Sequence, residues 1–331
     1  MKATKHIVHV IALICLFVAT AQAEMITIFD SNATIGSGDS YDTVIVKGDG
    51  TIVDMTGGDV NNLIVMNAAT FNMSGGNIGL ESSKPLKSYD SSMINLSGGQ
   101  IYSLHSFEES MIYIHGDANI DIYGGEDSEF NDSTVVTVSS DNATLHGSIR
   151  FRDNSQFNLS AGSVFWVSAE GCSRIIVSGG IIEAAIDTGD DYAEICSNRK
   201  IQISGGTVES LEIGQPSTVT ISGGSIGNIQ GDHSSKIKIV GYSLNVIPYG
   251  GTSGNGQVTG NWNNHNPFSI DLWDERTYSM IELYDGVIPP VCVSIPESDL
   301  NGDCKVNFND FSKMATEWLN CNLDPPSACW E

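Results

Sequence analysis

One short pattern recurs through the middle of the chain and limits its fold more than any other feature: apolar, any residue, apolar, then Ser or a substitute, usually followed by Gly-Gly. It begins as Val53-Asp54-Met55-Thr56-Gly57-Gly58 and Phe71-Asn72-Met73-Ser74-Gly75-Gly76. Ile94-Asn95-Leu96-Ser97, Ile120-Asp121-Ile122-Tyr123, Val136-Thr137-Val138-Ser139 and Phe157-Asn158-Leu159-Ser160 continue it. Ile175-Ile176-Val177-Ser178, Ile201-Gln202-Ile203-Ser204 and Val219-Thr220-Ile221-Ser222 complete it. The Ser-equivalent positions are 56, 74, 97, 123, 139, 160, 178, 204 and 222, in steps of 16 to 26 residues averaging about 21. Alternating apolar and polar residues indicate strands. A constant apolar face with a variable step fits stacked coils whose loops differ in size. Further strand signals lie within the short coils, at Val60, Leu63 and Val65 and at Val208, Leu211 and Ile213. The glycines belong at corners that need positive φ or allow no side chain below the next coil. A β-sandwich has a similar strand count, but its hairpins rarely repeat one turn sequence so often.

The expected fold is therefore all-β, a parallel β-helix solenoid with a small β module and a C-terminal calcium loop–helix tail. The corresponding divisions are 1–23, 24–240, 241–290 and 291–331. Residues 1–23 read as a signal peptide: Lys2 and Lys5, the apolar stretch Val10–Thr20, and Ala21-Gln22-Ala23 as a cleavage site. That stretch is shorter than the roughly 20 residues a membrane span needs, so secretion is expected and a span is not. With 40 Asp+Glu against 15 Lys+Arg the net charge is -25, and removing the signal takes two lysines and no acids, leaving -27. Such a surface repels phosphate backbones and anionic lipids and gathers cations, which argues against nucleic acid as a partner.

Seven cysteines become six once Cys15 is removed, an even number that suits disulfides in an exported protein. Cys172 and Cys196 lie six and eight residues before Ser178 and Ser204, near-equivalent points of successive coils, so a bond between them is expected. Cys292, Cys304, Cys321 and Cys329 form a second group, which allows three pairings.

The repeat resembles that of secreted bacterial β-helix proteins with Ser-Gly-Gly motifs, some of them carbohydrate-binding, over about Thr43 to Val240. Gly189-Asp190-Asp191 resembles the Gly-Asp-Asp segment of polygalacturonases, in which paired carboxylates activate water and protonate the leaving oxygen. Asp190 and Asp191 are thus weak catalytic candidates. The companion motifs of that family are missing: there is no Asn-x-Asp in the coil before, His233 follows Gly-Asp, and no Arg-x-Lys follows. The arginines at 150, 152, 174, 199 and 276 look scattered, and His105, His115 and His146 lack metal-ligand spacing. Trp262 and Trp273 are candidates for stacking on sugar rings, though aromatics more often fill cores. The stretch Gln257–Leu272 resembles a closing β module of secreted planctomycete-type proteins.

The tail carries the sharper motif. In Asp299-Leu300-Asn301-Gly302-Asp303-Cys304-Lys305-Val306-Asn307-Phe308-Asn309-Asp310, oxygen side chains occupy loop positions 1, 3, 5, 9 and 12, with the Lys305 carbonyl at position 7. This spacing wraps one Ca2+ in an EF-hand loop. Phe311, Met314, Ala315, Trp318 and Leu319 then follow at helical spacing as an amphipathic stripe. Asp299, Asn301, Asp303, Lys305, Asn307 and Asp310 are the expected ligands. With Pro289, Pro290 and Pro296 ahead of the loop, the tail resembles a dockerin-type calcium motif. The resemblance implies docking to an extracellular partner, cohesin-like or other, in a polysaccharide-degrading surface assembly. It departs from that motif in having one loop, Cys304 at position 6, and Phe308-Asn309 at positions 10 and 11. The function expected is a non-catalytic anchoring or carbohydrate-associated component; the alternative is a β-helix polysaccharide hydrolase or lyase.

Overall fold

The computed structural model describes residues 25–79, 84–121, 128–189, 199–214, 216–231, 235–248, 256–273 and 275–286. The chain divides into two compact units, Met1–Gly286 and Val287–Glu331, the second outside the described residues. The described chain is nearly all β and winds into a β-solenoid of about 10 turns. No helix among the described residues is long and apolar enough to cross a membrane.

Each coil contributes short strands to parallel faces that run the length of the solenoid. The repeat motif forms the first face. Val53 stacks on Phe71, Phe71 on Ile94, Ile94 on Ile112, and the row continues through Val136, Phe157, Ile175, Ile201, Val219 and Ile237. The second face stacks Val60, Ile78, Ile101, Ile120, Leu145, Val164, Ile182, Val208 and Ile226. The third carries Val46, Val65, Ser88, Ser106, Phe130, Phe151 and Ala169 in one inward row. These apolar side chains are almost wholly buried. Like residues stack on like: Phe130, Phe151 and Phe157 lie ring on ring, with centroids 4.8 and 5.0 Å apart. Where polar residues point inward they pair, Ser88 Oγ donating to Ser106 Oγ at 2.7 Å.

At one copy of the repeat the structure differs from the sequence expectation. Ile120-Asp121 does not belong to the first face; Ile120 pairs with Ile101 and Leu145 on the second. The fourth rung of the first face is Ile112-Tyr113-Ile114-His115, so the steps around it are 18 and 24 residues rather than 26 and 16. Both segments alternate with the same period, and alternation alone cannot assign a strand to one face of three. Nor does the double glycine settle it: in sequence Gly124-Gly125 follows Ile120-Asp121-Ile122-Tyr123, as the motif requires, while Ile112-Tyr113-Ile114-His115 is followed by Gly116 alone.

The two glycines of the corner do different work. A Cβ on Gly205 would stand 2.2 Å from the Ser178 carbonyl oxygen of the coil below. Gly206 has φ +76°, and a Cβ there would meet the Gly179 and Gly180 oxygens at 2.6 and 2.7 Å. The first glycine permits the close approach of coils; the second also permits the left-handed turn.

The C-terminal end of the solenoid is closed differently. Gly256–Asn261 and Pro267–Leu272 form an antiparallel hairpin that also pairs with Lys236–Ile247. Ile281–Asp285 adds one more parallel rung on Ile237–Gly241. Ahead of that rung the chain makes a helical turn, Glu275–Tyr278, although the apolar–polar alternation of Thr277–Leu283 would suit a strand throughout. Thr277 is fully buried there because its Oγ1 accepts the Gly231 N–H at 2.9 Å, a tie that a continuing strand would break.

Candidate functional site

Asp190 and Asp191 lie outside the described residues, as do Asp299, Asn301, Asp303, Lys305, Asn307 and Asp310. Cys172 is disulfide-bonded, and Cys196 lies outside the described residues. Among the described residues no group of three or more His, Cys, Asp or Glu is arranged to hold a metal. His105, His115 and His146 fall on the third, first and second faces respectively.

The outward positions of the third face form a charged band that the sequence did not reveal. Glu129 pairs in register with Arg150, Arg150 with Ser168, Ser168 with Asp187, and Asp187 with Glu212. Arg150 and Arg152 bridge Glu129 and Glu170, with N···O distances of 2.9 to 3.6 Å. Burial lowers the pKa of Arg152, but its hydrogen bond to Glu170 and the neighbouring carboxylates outweigh this and hold it above its ordinary value. Arg199, only 2% exposed, donates from its guanidinium to the Gly171 and Thr188 carbonyls at 3.2 and 2.7 Å. Burial pulls its pKa down while Glu170 and Asp187 oppose the shift. The arginines that look scattered in sequence are therefore partly gathered in space, because a step of one coil returns the chain to the same face.

At the C-terminal end of this band Asp187 and Glu212 are rung neighbours. Burial, then the Asp187 charge, push the Glu212 carboxyl above its ordinary range, against a lowering hydrogen bond from Ser210. Asp187 Oδ1 accepts the Gly189 N–H at 2.8 Å, which aligns the start of the Gly-Asp-Asp segment. A carboxyl raised above its ordinary range beside a second carboxyl is an arrangement that acid–base hydrolysis can use.

A second feature lies where the closing hairpin folds over the Gly-Gly corners, leaving a cleft of about 470 Å3. The turn Trp262–Asn266 forms its rim, closed by Trp262 N–H to the Asn266 carbonyl at 2.9 Å. Trp262 is a core residue, 3% exposed, and not a free stacking platform. Its ring lies on Phe268 at 3.8 Å, and its Nε1–H donates to the Gly224 carbonyl at 2.8 Å. The wall is polar: Ser204, Ser225, Asn264, Asn266 and Ser269. The other sugar-stacking candidate, Trp273, is 58% exposed and outside this lining. Compared with protein-family models, curated proteins and solved structures, the chain matches none.

Proposed function

We propose that this chain is an exported, calcium-dependent anchoring protein whose β-solenoid serves as a rigid, carbohydrate-associated component of an extracellular assembly. A small closing β module and a dockerin-like loop–helix tail complete it. The observation that carries the reading is the joint match in the tail: oxygen side chains at 299, 301, 303, 307 and 310, followed at once by an amphipathic stripe from Phe311 to Leu319. Calcium is a hard cation that takes six to eight oxygens, and three carboxylates crowded in one short loop repel one another without it. Docking through the tail then becomes conditional on the ion. The test is calorimetry on the full, disulfide-intact chain, first in EDTA and then with Ca2+. One saturable site is expected, lost in the variant combining Asp299→Ala and Asp303→Ala. At a hundredfold excess of calcium over Kd the tail gains about 2.7 kcal/mol. A chain without a saturable calcium response sinks the reading.

The rung pair Asp187 and Glu212, with the Glu212 carboxyl raised and Asp187 two residues before Gly189-Asp190-Asp191 in sequence, favours a second reading: a hydrolase or lyase acting on a polysaccharide. Its check is an assay of the purified chain on acidic and neutral polysaccharides. Cleavage that falls in Glu212→Gln and in the variant combining Asp190→Asn and Asp191→Asn would establish it.

A further inference from the structure

We propose that the cleft beneath the closing hairpin is a binding subsite for a neutral saccharide. This deepens the carbohydrate-associated part of the function above and rests on it only for the choice of glycans as probes. The cleft, at about 470 Å3, falls in the size range of small-ligand sites, roughly 300–1,000 Å3. None of its lining residues carries a charge, in a chain with 40 acids and 15 bases. An anionic ligand would meet no cation there and would be repelled by the overall field; a cationic one would find no carboxylate. A neutral polyol meets neither obstacle.

The wall chemistry points the same way. The hydroxyls of Ser204, Ser225 and Ser269 and the amide of Asn266 line the cleft and hold no hydrogen bond among the described residues. Hydroxyls and amides both donate and accept, which is the pattern that sugar hydroxyls require. Phe268 supplies the apolar wall on which the C–H face of a sugar ring packs. The cleft is also held in shape. Trp262 is pinned to Gly224 and stacked under Phe268, and the corner glycines of the floor have no side chains to move. A ligand entering it therefore orders little that is not already ordered, which favours binding.

The experiment uses the full, disulfide-intact chain with cellohexaose, mannohexaose and xylohexaose as neutral probes and oligogalacturonate as the anionic one, followed by calorimetry and saturation-transfer NMR. At least one neutral probe is expected to bind and oligogalacturonate not to. Ser225→Trp, which fills the cleft, and Asn266→Ala, which removes one amide, are each expected to weaken that binding by at least about tenfold. Both positions are exposed, so the thermal midpoint should stay unchanged. Failure of all three neutral probes to bind overturns the proposal, as does binding that survives both variants or is confined to oligogalacturonate. The titrations are repeated in EDTA, where binding should persist whatever the calcium titration shows. The two readings therefore fail separately.

Discussion

A corner that turns left-handed under a stacked coil asks two things of a residue, and glycine alone meets both. At Gly206 a Cβ would meet carbonyl oxygens of the coil below at 2.6 and 2.7 Å, on top of φ +76°. Gly50 has the same φ but nothing within 4 Å of its Cβ position. The pair separates conformational strain from collision. Gly50→Ala should cost about 1 kcal/mol, the ordinary penalty for a left-handed non-glycine residue. Gly206→Ala should cost several-fold more, roughly 3 kcal/mol or above, because backbone must shift to admit the methyl. Urea unfolding of the two variants checks this, and equal losses would contradict the assignment. Other corners hold αL with acids instead. Asp90, Glu108, Asp132 and Asp153 have φ between +55 and +62°. The Asn67 N–H donates to the Asp90 carboxylate at 3.0 Å, and the Glu108 N–H to that of Asp132 at 3.0 Å. Part of the large negative charge thus serves the backbone.

At the scale of strands, a parallel rung places each outward side chain against its counterparts one coil away, about 4.8 Å distant. Amides exploit this, Asn72 donating to Asp54 at 2.7 Å and Asn95 to Asn72 at 2.8 Å. Carboxylates suffer from it. Glu212 sits partly buried on the Asp187 rung, and both effects favour its neutral form when folded. Its folded pKa is raised above the ordinary 4.5, so over that window the folded chain binds the proton more tightly than the unfolded one. This contribution therefore falls as pH rises from about 4.5 through the raised value, and the penalty remains at neutral pH. Glu212→Gln removes it. The variant should gain stability relative to the parent as pH rises from 4 toward 7, and little below the ordinary value, in urea unfolding at a series of pH values. A constant difference across that range would show that Glu212 titrates unperturbed.

For the whole molecule, the stacked coils put like charges into vertical rows in addition to the net charge of -25. The screening length falls from about 30 Å at 0.01 M salt to about 8 Å at 0.15 M. Repulsion along the acidic corner and across the surface is thereby reduced, while the Glu129–Arg150–Arg152–Glu170 network loses some attraction. The acids outnumber the bases by far, so the thermal midpoint in EDTA should rise by a few degrees over that range. A fall would mean that the ion-pair network outweighs the repulsion. Stability in such an array is close to a sum of coil and nearest-neighbour terms.

The repeat of Ser-Gly-Gly and its alternating apolar residues by themselves determined that the described chain is a β-solenoid, because each motif is a local instruction: a strand, then a corner that only glycine permits. They also determined which side chains face the core on the first face, at every rung of the motif but the one that Ile112 fills. What they could not determine was how far the chain travels before it closes each coil. That distance assigned Ile120 to the second face and Ile112 to the first. It brought Arg150, Arg152 and Glu170 into one network. It set Asp187 beside Glu212 and folded Trp262 under Phe268 at the edge of an uncharged cleft. Local propensity specifies a strand within a few residues. Which strand it lies against depends on loop lengths and on burial summed over the whole stack, and no short stretch of sequence contains either.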